Sequence, residues 1–368
     1  MVAGEASGDA HGGRLARAMR EIEPTLELSG MGGGHMRAAG VRTSIDSASL
    51  SVMGFSDVAA QARRVVGTYR RLARELRSGR HDLVVLIDFP DFNLRLARVA
   101  KRAGVRVVYF VSPQVWAWRR GRIDTICERV DRMIVVFPFE ADLYRERGLD
   151  VHYVGHPLAE EVVATRSAAD TRARWGIEAD RPLVALLPGS RSKEVARILP
   201  VMLEAAHRLE DRACFAIARA PGLAAGAVAS LVAAAATSVA VVEADTYNLL
   251  AASDVAAVTS GTATVECAVL GRPMVVVYRM SRPSYAIARA LVRVRFIAMP
   301  NILAGERIVP ELIQQQADAD HLTRELTRYL DSPELRADTA GRLATVREAL
   351  VWPGAAERAA RLVLEKLG

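Results

Sequence analysis

Leu83-Val84-Val85-Leu86-Ile87 is an unbroken apolar run that ends abruptly at Asp88-Phe89-Pro90-Asp91-Phe92-Asn93. A strand with one wet face alternates apolar and polar residues. A continuous aliphatic run instead describes a strand covered on both faces, as in a parallel sheet. Val105 to Val111 and Met133 to Phe137 repeat the pattern, and Asn93 to Arg102 and Arg120 to Glu128 between them have helical spacing. After His156-Pro157 a second series opens: Leu183 to Leu187, Cys214 to Ala218, Val239 to Val242, Asp254 to Thr259 and Met274 to Tyr278. Helical spacing fills its gaps at Glu194 to Leu209, Tyr247 to Ala252 and Thr264 to Leu270.

Strands alternating with helices in two blocks predict two doubly wound α/β domains. A length of 368 residues suits about two cores. The expected domains are residues 1–157 and 158–352, with the polar stretch Ala159 to Asp180, free of strand patterning, as linker. Sheets of this kind bind ligands beyond the carboxyl ends of their strands. The first strand is short, because only Met1 to Ala3 precede the loop Gly4-Glu5-Ala6-Ser7-Gly8-Asp9, and a start upstream of Met1 is the expectation.

Composition narrows the class. Hydrophobic residues make up 51% and charged residues 25%, the balance of a globular protein. The net charge of +7 comes almost wholly from arginine, since Lys101, Lys193 and Lys366 are the only lysines. A chain-wide arginine bias is poor evidence for nucleic acid, and none is expected as a partner, but it suits ligands that carry phosphate. Cys127, Cys214 and Cys267 are scattered without a CxxC pair, so reduced thiols are expected. No basic-then-apolar leader opens the chain. Leu223 to Val242 lacks charge but is mostly alanine, and it reads as a helix running into a strand at Ser238 rather than as a membrane span.

Two loops of the second block carry phosphate chemistry. Pro188-Gly189-Ser190-Arg191 follows a strand and precedes a helix. Glycine there allows a turn that aims N–H groups at an anion, and Arg191 can grip phosphate oxygens bidentately. Ser260-Gly261-Thr262-Ala263-Thr264 repeats the arrangement, with Glu266 placed to accept both hydroxyls of a ribose. The competing reading makes Thr262 or Thr264 a helix cap and Glu266 its capping partner. Two such loops in one block favour a nucleotide diphosphate.

Further runs carry a family resemblance. Gly4-Glu-Ala-Ser-Gly-Asp9, Ile87-Asp-Phe-Pro-Asp-Phe-Asn93, Val111-Ser-Pro-Gln-Val-Trp-Ala-Trp-Arg119, Pro138-Phe-Glu140 and Val154-Gly-His-Pro157 occur in order. Leu187-Pro-Gly-Ser-Arg191, Ser260-Gly-Thr-Ala-Thr-Val-Glu266, Met299-Pro-Asn-Ile-Leu-Ala-Gly305 and Val309-Pro-Glu-Leu-Ile-Gln314 follow. Together they span nearly the whole chain, which resembles the lipid-A-disaccharide synthase family. The resemblance implies a GT-B fold, two Rossmann-like domains with a cleft between them, and inverting transfer from UDP-2,3-diacylglucosamine to lipid X, its 1-phosphate. The product is a β-1,6-linked disaccharide 1-phosphate, and no cofactor or metal takes part. It further implies peripheral association with the cytoplasmic face of the inner membrane and a homodimer with exchanged carboxyl-terminal domains. Residues 353–368 are then a helix packing back on an N-terminal domain. Another GT-B transferase acting on a lipid acceptor is the alternative.

One-step inversion needs a base on the acceptor hydroxyl and charge stabilisation on the leaving diphosphate. Asp88 is the expected base, its pKa raised beside Phe89 and Phe92. Arg191 is expected to stabilise the diphosphate, with Gly189, Ser190, Ser260, Gly261 and Thr262 around it and Glu266 on the ribose. Asp91 either orients Asp88, binds acceptor hydroxyls, or caps a helix starting at Asn93. Asn93 and Gln114 join the substrate-binding set with Glu5, Ser7, Gly8 and Asp9, read as a polar loop. Asn301 and Gln314 are carried over as donor contacts. Trp116 and Trp118 alternate on a strand-like stretch, where core packing competes with substrate contact.

Three patterns are set aside. Asp318-Ala-Asp320 precedes a helix, so capping accounts for it. His152 and His156 are interrupted by Gly155 and Pro157, which precludes the helix a zinc pair would need. Gly30, Gly32, Gly33 and Gly34 read as a turn after a strand. For membrane contact two stretches qualify: Arg282 to Arg295, with Ile287, Leu291 and Val294 on one face, and Leu50 to Phe55 followed by Arg63, Arg64, Arg70 and Arg71. An ordinary surface helix is the alternative for each.

Overall fold

The computed structural model describes residues 1–47, 58–118, 121–220, 223–235, 237–291 and 294–368. Leu50 to Phe55, Arg119, Arg120 and Arg293 lie outside the described residues, as do the side chains of Trp118, Arg282, Ile287 and Leu291. The chain divides into two compact units, Met1–Pro157 with Trp352–Gly368, and Leu158–Val351.

The first unit holds β1 (Val2–Ala3), β2 (Ser29–Gly32), β3 (Arg42–Asp46), β4 (Leu83–Ile87), β5 (Arg106–Phe110), β6 (Arg132–Val135) and β7 (Val151–Tyr153). They lie in the order β3-β2-β1-β4-β5-β6-β7, every pairing parallel. Because side chains alternate across a strand, β4 serves two cores. Leu86 joins Tyr109, Leu94, Ile126 and Tyr144 on one face. Ile87 meets Gly12 of the helix Ala6–Ile22 on the other, where an added Cβ would stand 3.0 Å from its Cδ1. The helix Ala355–Glu365 packs on Ala6–Ile22 and buries Ala355, Ala359, Ala360 and Val363. Arg106 donates to the carbonyls of Lys366 and Leu367 at 2.6 and 2.7 Å, satisfying groups the helix end leaves open.

The second unit holds β8 (Leu183–Leu187), β9 (Cys214–Arg219), β10 (Ala240–Glu243), β11 (Val255–Thr259), β12 (Met274–Tyr278) and β13 (Glu311–Ile313), in the order β10-β9-β8-β11-β12-β13. All are parallel. The helix Ser192–Arg208 fills one face with Val195, Ile198, Leu199, Met202 and Leu203. Two doubly wound units are what the aliphatic runs predicted. The Ala-rich segment is the helix Ala225–Ala234 followed by β10, and among the described residues no helix is long and apolar enough to cross a membrane.

Several local expectations are corrected. The helix after β4 starts at Pro90, not Asn93, because proline's fixed φ suits a first helical position. Asp91 is therefore inside the first turn, while Phe89 holds the cap position. Ser7, Gly8 and Asp9 are not loop but the opening turn of Ala6–Ile22. Val115–Trp118 is one helical turn rather than a strand-like stretch. The glycines Gly30 and Gly32 belong to β2 itself, followed by the short helix Gly34–Ala38.

Backbone strain is concentrated where ligands bind in such sheets. Among the described residues the non-glycine positions with left-handed φ are Asp88 (47°), Phe89 (49°), Val111 (63°), Ala244 (54°) and Gln314 (54°). Each lies one or two residues past a strand's carboxyl end. Such conformations cost about 1–3 kcal/mol apiece and persist only where the surroundings hold them.

Candidate active site

In each unit one pair of adjacent strands sends its chains in opposite directions: β1 with β4, and β8 with β11. A crevice opens at that switch point. Asp88 leaves β4 there and Gly4-Glu5 leave β1. In the second unit Pro188 to Arg191 leave β8, and Ser260-Gly261 leave β11.

Asp88 is held by its backbone. Its N–H donates to the Phe110 carbonyl (3.2 Å), and its own carbonyl accepts from Asn93 Nδ2 (2.8 Å) and the Tyr109 hydroxyl (2.5 Å). Asn93 is wholly buried, its amide also reaching the carbonyls of Ile87 and Val2. It is thus a brace for the strained turn. Gly4 is required beside it, since any side chain there would collide with the Phe89 ring. Burial pushes the Asp88 carboxyl up to about 6, the nearby charge of Glu5 adds to this, and the Phe89 N–H opposes it. Such a carboxylate is ionised at neutral pH yet more basic than usual, as a general base should be.

Around Asp88 the expected residues separate. Glu5, Ser7 and Gln114 are exposed. Gly8 is buried, and so is Asp9, whose carboxylate accepts from the N–H groups of Gly33 (2.6 Å), His35 (2.9 Å) and Met36 (3.1 Å). That bonding caps Gly34–Ala38, so Asp9 shapes the unit rather than presenting a free carboxylate. Asp91 is exposed and ion-paired with Arg122. Trp116 is buried and donates from Nε1 to Glu140 Oε1 at 3.1 Å. Glu140 closes the run Pro138-Phe-Glu140, to which the sequence alone assigns no role. Its burial pushes the carboxyl up to about 8, against hydrogen bonds from Trp116 and the backbone and with a small contribution from Asp88. The signal for it is a lone carboxylate directly after the aromatic run Phe137-Pro138-Phe139.

In the second unit Gly189 has φ 111° and Gly261 φ 145°, conformations that favour glycine. The helices Ser192–Arg208 and Thr262–Val269 start at Arg191 and Gly261 with no side-chain cap, leaving their first N–H groups open to an anion. Ser190, Gly261 and Thr262 are exposed at these starts. Arg191 is 70% exposed and ion-paired to Glu194 at 3.1 Å, which holds its guanidinium beside the loop and open to solvent. Thr264 donates to the Gly261 carbonyl at 2.7 Å. Glu266 lies beyond the first helical turn, too far along to be a capping partner. Burial pushes it up to about 7, opposed by a hydrogen bond with Tyr247, a neighbour the sequence did not flag.

Asn301 and Gln314 are occupied internally. Asn301 is wholly buried, its Oδ1 accepting from Ile308 and Val309 N–H (2.7 and 2.9 Å) and its Nδ2 donating to Val309 O and Glu311 Oε1, both at 2.9 Å. Glu311 also takes the N–H groups of Ile297 and Ala298, and Ser260 donates to the Ile297 carbonyl at 2.9 Å. Gln314 binds both backbone groups of Met280. The motif around Asn301 is a buried frame behind the Ser260 loop, and Glu311, another lone carboxylate in an apolar run, is its centre. Asp318 caps the helix Ala319–Asp331 by accepting from the His321 N–H at 2.8 Å, as the capping reading expected.

Solved structures place the architecture. The UDP-GlcNAc 2-epimerase from Neisseria meningitidis aligns with a TM-score of 0.62 at 12% identity, over 98% of this chain and 97% of that one. The calicheamicin glycosyltransferase aligns at 0.59 and 15%, over 100% and 96%. At such identities the likeness is one of fold, and the fold is that of the GT-B glycosyltransferases. Sequence relatives are far closer. The lipid-A-disaccharide synthases of Geobacter metallireducens and Myxococcus xanthus are 46% and 41% identical, each over 100% of this chain and 97% of the relative. The family profile for lipid-A-disaccharide synthetase matches residues 1–358. The chain belongs to the lipid-A-disaccharide synthetase family and is a glycosyltransferase.

Proposed function

We propose that the chain transfers the diacylglucosaminyl group of UDP-2,3-diacylglucosamine to the 6-hydroxyl of 2,3-diacylglucosamine 1-phosphate (lipid X). Asp88 takes the hydroxyl proton as the oxygen attacks the anomeric carbon. The bond to UDP breaks on the opposite face, inverting that carbon and giving the β-1,6 disaccharide. Arg191 and the open N–H groups after Arg191 and Gly261 receive the diphosphate, and Glu266 accepts the ribose hydroxyls. Glu5, Ser7 and Gln114 are exposed enough to contact sugar. Gly8, Asp9, Asn93, Asn301 and Gln314 act through the backbone they hold. What carries this reading is the placement of a basic carboxylate at one switch point and an anion-ready loop pair at the other. Incubation with both lipids should release UDP and a disaccharide detectable by mass spectrometry. UDP release with a different lipid acceptor only would favour another GT-B transferase.

Two residue-level results follow. Arg191→Ala should lower kcat by roughly 10²–10³, the usual cost of losing one group that stabilises developing charge. An unchanged kcat would remove Arg191 from that role. Glu266 needs its charge to accept two hydroxyls, and with a pKa near 7 it is mostly ionised at pH 8 and mostly neutral at pH 6. Affinity for uridine, which has no titrating phosphate, should fall by up to about tenfold over that range, and Glu266→Gln should flatten the dependence. A flat wild-type profile would exclude it.

Amphiphilic substrates call for a bilayer contact, which we place on the helix Val58–Leu76. Val66 is 45% exposed on it among the exposed Arg63, Arg64, Arg70 and Arg71. The helix Arg282–Leu291, with exposed Arg289, is the second candidate. A homodimer on the inner leaflet completes the proposal, and light scattering showing only monomer would count against it.

A further inference from the structure

A groove of about 290 Å³ on the first unit is lined by Tyr69, Arg77, Arg95, Arg98, Val99 and Arg102. Arg95, Arg98 and Arg102 are spaced i, i+3, i+7 on the helix Pro90–Arg102, which puts them on one face. Arg77 follows the end of Val58–Leu76 and comes in from the other wall. Tyr69 ties the walls together, its hydroxyl donating to the Arg95 carbonyl at 3.5 Å and its ring meeting Phe92 edge-on.

The four guanidinium groups have no acidic residue in the lining and no hydrogen bond or ion pair among the described residues. Arg71, Arg122, Arg132 and Arg147 nearby in the chain each hold a carboxylate. Four like charges around one cavity repel each other, and a multiply charged oxyanion would relieve them all at once. Arginine forks match phosphate oxygens bidentately, which a single positive point charge does not. We propose that this groove binds a phosphate group, either the headgroup of an anionic lipid or a free phosphate.

It is not the site of the reacting diphosphate. The helix Pro90–Arg102 starts at the carboxyl end of β4 and runs back towards the start of β5. At 1.5 Å per residue, Arg95, Arg98 and Arg102 lie roughly 8, 12 and 18 Å along it from Asp88's end of the sheet. The groove needs nothing from the transferase chemistry.

The test uses the full chain, a triple variant Arg95→Ala/Arg98→Ala/Arg102→Ala, and a charge-matched control Arg17→Ala/Arg324→Ala/Arg347→Ala. The control removes three exposed arginines elsewhere, so both variants lose equal charge. One arm titrates inorganic phosphate by calorimetry. The other measures sedimentation with vesicles of phosphatidylglycerol in phosphatidylcholine. The groove variant should lose at least about tenfold in one arm or both, while the control stays within about twofold of the wild type. Loss in the phosphate arm assigns a free phosphate, and loss only with vesicles assigns a lipid headgroup. Equal behaviour of the two variants in both arms would overturn the site.

Discussion

Asp88→Asn is expected to abolish turnover, by about 10³-fold or more, in a protein that stays folded. The general-base contribution is typically 10²–10⁴, and the amide cannot take the proton. Asparagine is the informative substitution because Asp88 sits at φ 47°. Asparagine tolerates that left-handed region well, whereas alanine would add strain to the loss of the carboxylate. The brace from Asn93 and Tyr109 acts on the Asp88 carbonyl and is unaffected. The pH profile gives a second check. A base must be ionised, so kcat/KM should rise with pH through about 6, where burial and Glu5 have moved this carboxyl. Glu5→Gln removes the second cause and should shift the acid limb to lower pH. Near-normal turnover of Asp88→Asn would end its candidacy.

Asn301→Asp should destabilise the second unit by about 3–5 kcal/mol. The buried amide donates to Glu311, and a carboxylate in its place would face another carboxylate with no donor between them. It would also lose its bond to the Val309 carbonyl. Urea unfolding would read the loss directly. Because Glu311 holds the N–H groups of Ile297 and Ala298, and Ser260 hangs on Ile297, nucleotide affinity should weaken in parallel. If stability is unchanged and only nucleotide affinity falls, Asn301 touches the donor and is no frame.

The runs that fill both sheets were legible because doubly covered strands carry their own signature: Leu83 to Ile87, Leu183 to Leu187 and Met274 to Tyr278 have the predicted bounds. The strands that escaped notice are poorer in that signal. β2 is built from Ser29, Gly30, Met31 and Gly32, and β3 is a polar edge strand, Arg42-Thr-Ser-Ile-Asp46. For the site, spacing could say that Asp88 and Arg191 end strands. It could not say which polar residues turn inwards. Asp9, Asn93 and Asn301 look like ligand contacts in a motif, yet their bonds go to backbone thirty or fewer residues away, to Val2, or, for Asn301, also to the Glu311 carboxylate. Tyr247 and Glu311 carry no assigned role because their partners are brought to them by tertiary packing, and Glu140 combines a local bond to the Phe137 N–H with the distant Trp116.

The last seventeen positions, Trp352–Gly368, complete a unit whose other part ends at Pro157. On the ribosome the earlier part emerges first and must wait for the whole second unit before its closing helix is made. At about 5–20 residues per second that delay is on the order of tens of seconds. Throughout it the apolar side of Ala6–Ile22 that Ala355, Ala359, Ala360 and Val363 later cover is open to chaperones or to other nascent chains. Yield in a cell should therefore respond to translation speed and chaperone supply more than the finished protein's stability would suggest.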